Sequence, residues 1–427
     1  MPKSKPVSIQ DLVAIAKAAA AEAANFQERF AAEDTEARKI VDIMERFLKV
    51  KARVVYGGAA INAHLPTDKK FYDPTLYLPD YDFMTPDPLQ DCADIIVAFQ
   101  HEGFNEVEAK FGIHEGTYKI FVNFRAAADV TYMPPEIYER IMSDAKTIDG
   151  IHYASVNFLR MNMYLELSRP AGMVSRWEKV YERLLLLNEE YPLKAGRCVA
   201  DPLEALAAEP SETQLVLTSR LMELGIESHA VFLSGASYLV APDTNPTQEE
   251  VIMMMSDRAP ALVEKLESAL NLRATKFEAM GELLPTRTEL RTTKRKLVAV
   301  VFEAVACHSY TTLKNPEGYR LGSIDLLIQM YYAMYFADLK GYLPIRLLCV
   351  IQNLIELETE RRKAVAEGKG DIHDVFPMDC IGHQPSMPEL KKAHRTRVLA
   401  KKKELVKALR MQESFRVSRR RPRKAKK

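Results

Sequence analysis

Residues 53–84 read RVVYGGAAINAHLPTDKKFYDPTLYLPDYDFM, and the fold class follows from this stretch. Arg53 to Tyr56 is short, apolar and partly β-branched, the pattern of a buried strand. It runs straight into Gly57-Gly58, where two glycines let the backbone turn sharply and come close to a bulky anion. Ala59 to Ala63 opens a helix whose free N–H groups face the same anion. At the far end, Pro79-Asp80-Tyr81-Asp82-Phe83-Met84 places two carboxylates two residues apart, on one face of a strand. Two such carboxylates repel unless a cation joins them. Hard carboxylate oxygens suit Mg²⁺, which also takes phosphate oxygens.

A third carboxylate would complete a two-metal site. Asp129 is the candidate, in Ala128-Asp129-Val130-Thr131-Tyr132-Met133, with apolar neighbours and the strand-like Thr117 to Phe124 before it. Gly-Gly, then Asp-x-Asp, then a lone Asp on a later strand resembles the polymerase-beta-like nucleotidyltransferases. The words GGAAIN, LPTDKKFYD, PDYDFM, HEGTYKIFVNF and ADVTYMP resemble the catalytic poly(A) polymerases of large DNA viruses. Mimivirus-type and asfarvirus-type enzymes are the nearest in appearance, and poxvirus enzymes are more distant. The 22 residues from Gly58 to Asp80 resemble an insertion carried by that viral branch.

The resemblance implies a mixed α/β (α+β) fold: a catalytic nucleotidyltransferase domain with helical additions and a second, degenerate nucleotidyltransferase-like domain. It implies template-independent transfer of AMP from ATP to an RNA 3′ end, with two Mg²⁺ or Mn²⁺ ions held by Asp80, Asp82 and Asp129. Gly57 and Gly58 would cradle phosphates. Lys119, in the strand before Asp129, either reaches a phosphate or faces solvent. Arg176 and Lys179, three apart on one helix face, would hold the triphosphate. Adenine specificity enters only through the resemblance, and the same site on another member adds other nucleotides. The resemblance implies homodimers in the mimivirus-like enzymes and a processivity partner in the poxvirus one. It also implies work in the host cytoplasm, at the viral factory, or packaging in the virion. The rival from another class is a non-catalytic RNA-binding scaffold of the same fold.

The chain has 427 residues, room for about two to three domains. No apolar run reaches the roughly 18 residues of a membrane span, and the N-terminus has no apolar core like a secretory signal. Cys92, Cys198, Cys307, Cys349 and Cys380 are odd in number and scattered, which argues for a reducing compartment and against a disulfide frame. His373, Cys380 and His383 lack paired zinc spacing. The net charge of +1 hides an asymmetry: residues 391–427 hold 17 Lys/Arg against Glu404 and Glu413, leaving the rest of the chain at −14. With a polymerase body, RNA is the first expected partner of that tail.

Five segments are expected. Residues 1–50 form helices, with Ser8 and Asp34 or Thr35 as caps and Ile40, Ile43, Met44 and Phe47 as an apolar stripe. Residues 51–135 form the catalytic unit, closed by Pro134-Pro135, and 136–200 a helical extension in which Trp177 is a packing residue. Residues 201–365 form the degenerate copy: Leu217–Val240 echoes the helix, strand and Gly-x-Ala of the catalytic unit, and GYRLGSIDLLIQMYYAMYF echoes GIHYASVNFLRMNMYLEL. Lys276–Glu282 and Leu297–Ala306 read as its strands, and Ala304 to Cys307 stands near the place of Asp129. Residues 366–427 are a loop and the basic tail.

Overall fold

The structure is a computed structural model that describes residues 8–72, 79–114, 116–195, 212–234, 251–281, 283–313, 318–339, 344–400 and 402–403. Most of the basic tail, Cys198 and the Gly-x-Ala part of the echo at 235–240 lie outside the described residues.

Two helices lead in, α1 (Ile9–Glu33) and α2 (Thr35–Lys51). Asp34 caps α2, its carboxylate accepting from Glu36 N at 2.9 Å and Ala37 N at 3.2 Å, and offsets the unpaired N–H groups of the first turn. The expected stripe is buried, joined by Ala37 and Leu48. It packs on the first sheet, with the Phe47 and Phe83 rings 5.9 Å apart. The sheet is built from β1 (Val54–Tyr56), β2 (Tyr81–Thr85), β3 (Val107–Phe111), β4 (Thr117–Val122), β5 (Arg125–Tyr132), β6 (Lys146–Ile148) and β7 (Ile151–Tyr153), in the order β3-β4-β5-β2-β1-β7-β6. Between them run α3 (Gly57–His64), α4 (Pro88–His101) and α5 (Pro135–Ser143). Arg53 anchors α4 to the start of β1 by paired bonds of 2.6 and 2.9 Å to the buried Asp91. After β7 come α6 (Val156–Leu167), capped by Ser155, and α7 (Trp177–Glu190).

The hairpin β6–β7 corrects the expected boundary. Residues 136–188 are not wholly helical, and the first sheet continues to Tyr153, beyond Pro135. The strand β7 lies parallel to β1, Val54 opposite His152 and Val55 opposite Tyr153. Strands of three residues are too short to show the alternation that reveals a strand in sequence.

The second half contains α8 (Glu212–Glu227), β8 (Val231–Phe232), β9 (Ile252–Ser256), α9 (Ala259–Leu270), β10 (Arg273–Phe277), β11 (Arg287–Arg291), β12 (Leu297–Glu303), β13 (His308–Thr312), β14 (Arg320–Gly322), α10 (Ile324–Ala337), α11 (Pro344–Ala366) and β15 (Cys380–Ile381). Its sheet runs β10-β11-β12-β9-β8-β14-β13-β15. With β15 set aside, this is the order of the first sheet, strand for strand. The helix after β14 repeats the helix after β7, Ser323 capping α10 as Ser155 caps α6. The expected strand at Leu297–Ala306 is β12, but the one expected at Lys276–Glu282 overlaps β10 only at Lys276 and Phe277, and β9, β11 and β13 went unseen in the sequence.

The register fixes which residues correspond. Val55 pairs with both Phe83 and Tyr153, and Phe232 pairs with both Met254 and Leu321. One residue along, Met253 takes the place of Asp82 and Val251 that of Asp80. Asp82 lies opposite Asp129 and Met253 opposite Val300. Val300, not Ala304 to Cys307, therefore stands where Asp129 does. Apolar side chains fill all three positions, so this copy cannot hold a cation there.

The two halves meet through α6 and α10. Phe158 packs edge-on against Phe336 at 5.3 Å, and the Tyr332 hydroxyl donates to Asn157 Oδ1 at 3.3 Å. Buried residues from both sheets form one continuous apolar core. Among the described residues no helix is long and apolar enough to cross a membrane. The expectation of no disulfides is contradicted. Cys307 and Cys380 form a disulfide across the β13–β15 pair, with α-carbons 5.2 Å apart, and Cys349 is disulfide-bonded as well. A separation of 73 residues gives no hint in sequence that two strand ends will be neighbours.

Candidate active site

The site forms where β1, β2 and β5 end together. Tyr56, the last residue of β1, is registered with Asp82, and Asp82 with Asp129. Neighbours in register on adjacent strands point to the same face, so these two carboxylates stand side by side. Asp80 lies two residues before Asp82, on the same side of the chain at the solvent edge. The three aspartates predicted from sequence are thus brought together.

The turn that follows β1 closes on them. Gly57 has φ +70°, and a Cβ there would lie 2.6 Å from Asp82 Oδ2. Glycine is required both for the left-handed backbone and for the contact. From Gly57 the chain enters α3 directly, so the first N–H groups of α3 open beside the carboxylates.

The carboxylates lack enough positive charge for their number. The Asp82 carboxyl is pushed up to about 7, by burial first and then by the charges of Asp80 and Asp129. The Asp80 carboxyl is also raised, by its loss of water and then by Asp129. Lys119 lies opposite Asp129 on β4 and its ammonium pairs with that carboxylate. The lysine predicted as a phosphate contact or a solvated residue is partly exposed and stands as a counter-charge to the third aspartate. Thr131, on the same face of β5, links the Tyr56 hydroxyl at 3.0 Å to the Thr117 hydroxyl at 3.2 Å.

Crowded hard-oxygen donors with raised proton affinity fit divalent cations. As they stand, no three acidic, histidine or cysteine side chains among the described residues are gathered tightly enough to hold one. Asp129 is turned to Lys119 instead.

The helical residues predicted to hold a triphosphate fall differently. Arg176 is not on the face of α7 but in the short 3₁₀ turn before it, and its guanidinium bonds Glu166 at 3.2 Å. Its charge still reaches Asp82, where it favours the ionised form. Lys179 is exposed on α7 and makes no ion pair among the described residues. Trp177 is a packing residue, donating to the Glu166 carbonyl at 3.1 Å and stacking on Phe376. The side chain that does lie over the glycine turn is Arg183, seven residues into α7. A Cβ on Gly58 would sit 3.1 Å from Arg183 Nη1 and 3.2 Å from the Tyr72 hydroxyl. Sequence reasoning missed it, because only the orientation of α7 against α3 reveals which of its basic residues faces the turn.

Over residues 42–173 the chain matches the family described as "Poly(A) polymerase catalytic subunit". A protein of Acanthamoeba polyphaga mimivirus, provisionally described as a poly(A) polymerase catalytic subunit, is 34% identical over 164 residues, which are 37% of this chain and 27% of that protein. A protein of African swine fever virus with the same provisional description is 25% identical over 159 residues, 36% of this chain and 33% of that protein. The match thus spans well under half of these curated relatives. The crystal structure of the Megavirus polyadenylate synthase superposes with a TM-score of 0.73 at 22% identity, over 95% of this chain and 85% of that one. The two share a fold across both sheets. The resemblance read from the sequence is borne out.

Proposed function

We propose, from the family match of residues 42–173, that this chain is a template-independent poly(A) polymerase that adds AMP from ATP to RNA 3′ ends. The observation that carries the reading is the register of Asp82 against Asp129, with the α-carbon of Gly57 against the Asp82 carboxylate. It sets a phosphate-binding turn beside paired acids, the arrangement that in-line phosphoryl transfer uses.

Asp80, Asp82 and Asp129 would hold the divalent ions, Mg²⁺ or Mn²⁺. When bound, two such ions lower the pKa of the attacking hydroxyl and neutralise the leaving pyrophosphate. The backbone of Gly57 and Gly58 receives the triphosphate at the N-terminus of α3. Lys119 balances Asp129 in the free protein, and Arg176 adds positive charge at the rim. No separate protein base is required.

RNA is the proposed polymer substrate. Helix 387–400 supports this reading: Lys391, Lys392 and Arg395 are exposed on it, and no carboxylate pairs with them among the described residues. The helix rests on the β3–β4 hairpin through Arg397, which donates to the Ile113 carbonyl at 2.9 Å, and through His394, 6.4 Å from the Phe111 ring. A basic surface thus flanks the hairpin that carries Lys119. A homodimer, and work in the host cytoplasm at the viral factory or packaging in the virion, complete the proposal.

The test is primer extension with a short labelled RNA, Mg²⁺ or Mn²⁺, and each nucleoside triphosphate in turn. ATP alone should give a growing ladder. Asp82→Asn should abolish it while leaving the thermal midpoint of the metal-free protein unchanged or higher, because it removes a crowded charge. Growth with another nucleotide would overturn the adenine specificity. RNA binding without growth by any nucleotide would favour the scaffold reading.

A further inference from the structure

Arg183 is held by a hydroxyl and an aromatic face, with its charge also felt at the Glu166 carboxylate. Its Nη2 donates to the neutral hydroxyl of Tyr72 at 2.9 Å, and its guanidinium carbon lies 4.1 Å from the Phe71 ring centroid and 5.3 Å from that of Tyr72. The two rings meet edge to face at 4.7 Å. Asn62, on α3, pins this aromatic pair: its Oδ1 accepts from Phe71 N at 3.0 Å and Tyr72 N at 2.9 Å, and its Nδ2 donates to Tyr72 O at 3.1 Å. The glycine turn, its helix and the aromatic platform are therefore tied together by Asn62. Arg183 lies against Gly58, the second residue of that turn.

We propose that Arg183 binds the incoming nucleoside triphosphate, exchanging the Tyr72 hydroxyl for a phosphate oxygen. This rests on the polymerase reading above and names a residue for its nucleotide site. A phosphate oxygen adds charge–charge attraction and a bidentate geometry that the neutral Tyr72 hydroxyl lacks, so the exchange runs toward the ligand. The stacking on Phe71 persists through it and keeps the planar fork aimed at the turn, so little order is lost on binding. Tyr72 acts as the place where the guanidinium waits. Its loss should leave nucleotide binding almost untouched, whereas loss of Arg183 should not.

The experiment compares R183M, R183K and Y72F in steady-state extension, with the KM for ATP and the KM for RNA measured separately. Calorimetric binding of Mg²⁺-ATP and thermal melting accompany them. R183M should raise the KM for ATP about tenfold or more with the KM for RNA unchanged. R183K keeps the charge but not the fork, and should lie between R183M and the parent. Y72F should change the KM for ATP less than about twofold. Equal losses in R183M and Y72F would make Arg183 a brace for residues 71–72 and overturn the proposal, as would an unchanged KM for ATP in R183M and R183K. If R183M does not fold, R183K against Y72F decides by the same comparison. If the parent extends no RNA, the polymerase reading fails by itself, and Mg²⁺-ATP binding by the same variants still decides this one.

Discussion

Gly57 and Gly58 are adjacent and alike in sequence, yet their surroundings make them unequal. Gly57 combines φ +70° with an Asp82 oxygen 2.6 Å from where a Cβ would be. In Gly57→Ala the left-handed backbone costs about 1–2 kcal/mol, and the methyl must also displace Asp82. Denaturant unfolding should register that loss. Primer extension should fall at least about a hundredfold, since small misplacements of a catalytic group cost that much. At Gly58 the nearest atoms are the tips of Arg183 and Tyr72, which can retreat by rotamer changes. Gly58→Ala should therefore keep the fold and the rate at saturating ATP, while raising the KM for ATP because it pushes Arg183 aside. Equal damage at both positions would mean that the turn, rather than its contact with Asp82, sets the requirement.

The paired strands β2 and β9 show how one backbone supports opposite chemistry. Asp82 is half-buried near the start of β2 beside the exposed Asp80, whereas Met253 in the same place is 5% exposed and belongs to the apolar core. Restoring the acid by Met253→Asp should not create a second active centre. It should destabilise the protein by roughly 3 kcal/mol or more, read as a shifted denaturant midpoint, because a buried carboxylate without a partner is costly. The β1–turn–α3 unit and the Asp-x-Asp strand were legible in sequence because their signals are local: glycines where the backbone turns, acids at period two. The cap at Asp34 is local in the same way. The hairpin β6–β7 was not, since three residues carry no period. Arg183 and the Cys307–Cys380 bridge depend on how distant elements are set against each other, which spacing along the chain does not encode. The lost carboxylates of the second sheet could be guessed as missing, but only the strand register shows that Val251, Met253 and Val300 replaced them.

At the scale of the whole molecule, charge and packing divide the labour. A body of net charge −14 would repel RNA, and the +15 of residues 391–427 offsets that repulsion. A chain ending at residue 386 should bind RNA at least about tenfold more weakly at low salt, with a shallower dependence of affinity on salt, while its KM for ATP stays unchanged. An unaltered salt slope in a filter-binding titration would remove the tail from the RNA path. Packing works in the other direction and joins what the sequence divides. Phe158 on α6 and Phe336 on α10 belong to one core that runs through both sheets. A fragment carrying only the first sheet's half would leave Phe158 and the side of α6 that meets α10 facing water, an apolar patch of the kind that drives chains to associate with one another. The second sheet's half thus serves the first as a permanently attached cover, and a fragment cut down to the Gly-Gly and Asp-x-Asp motifs should associate with itself in solution.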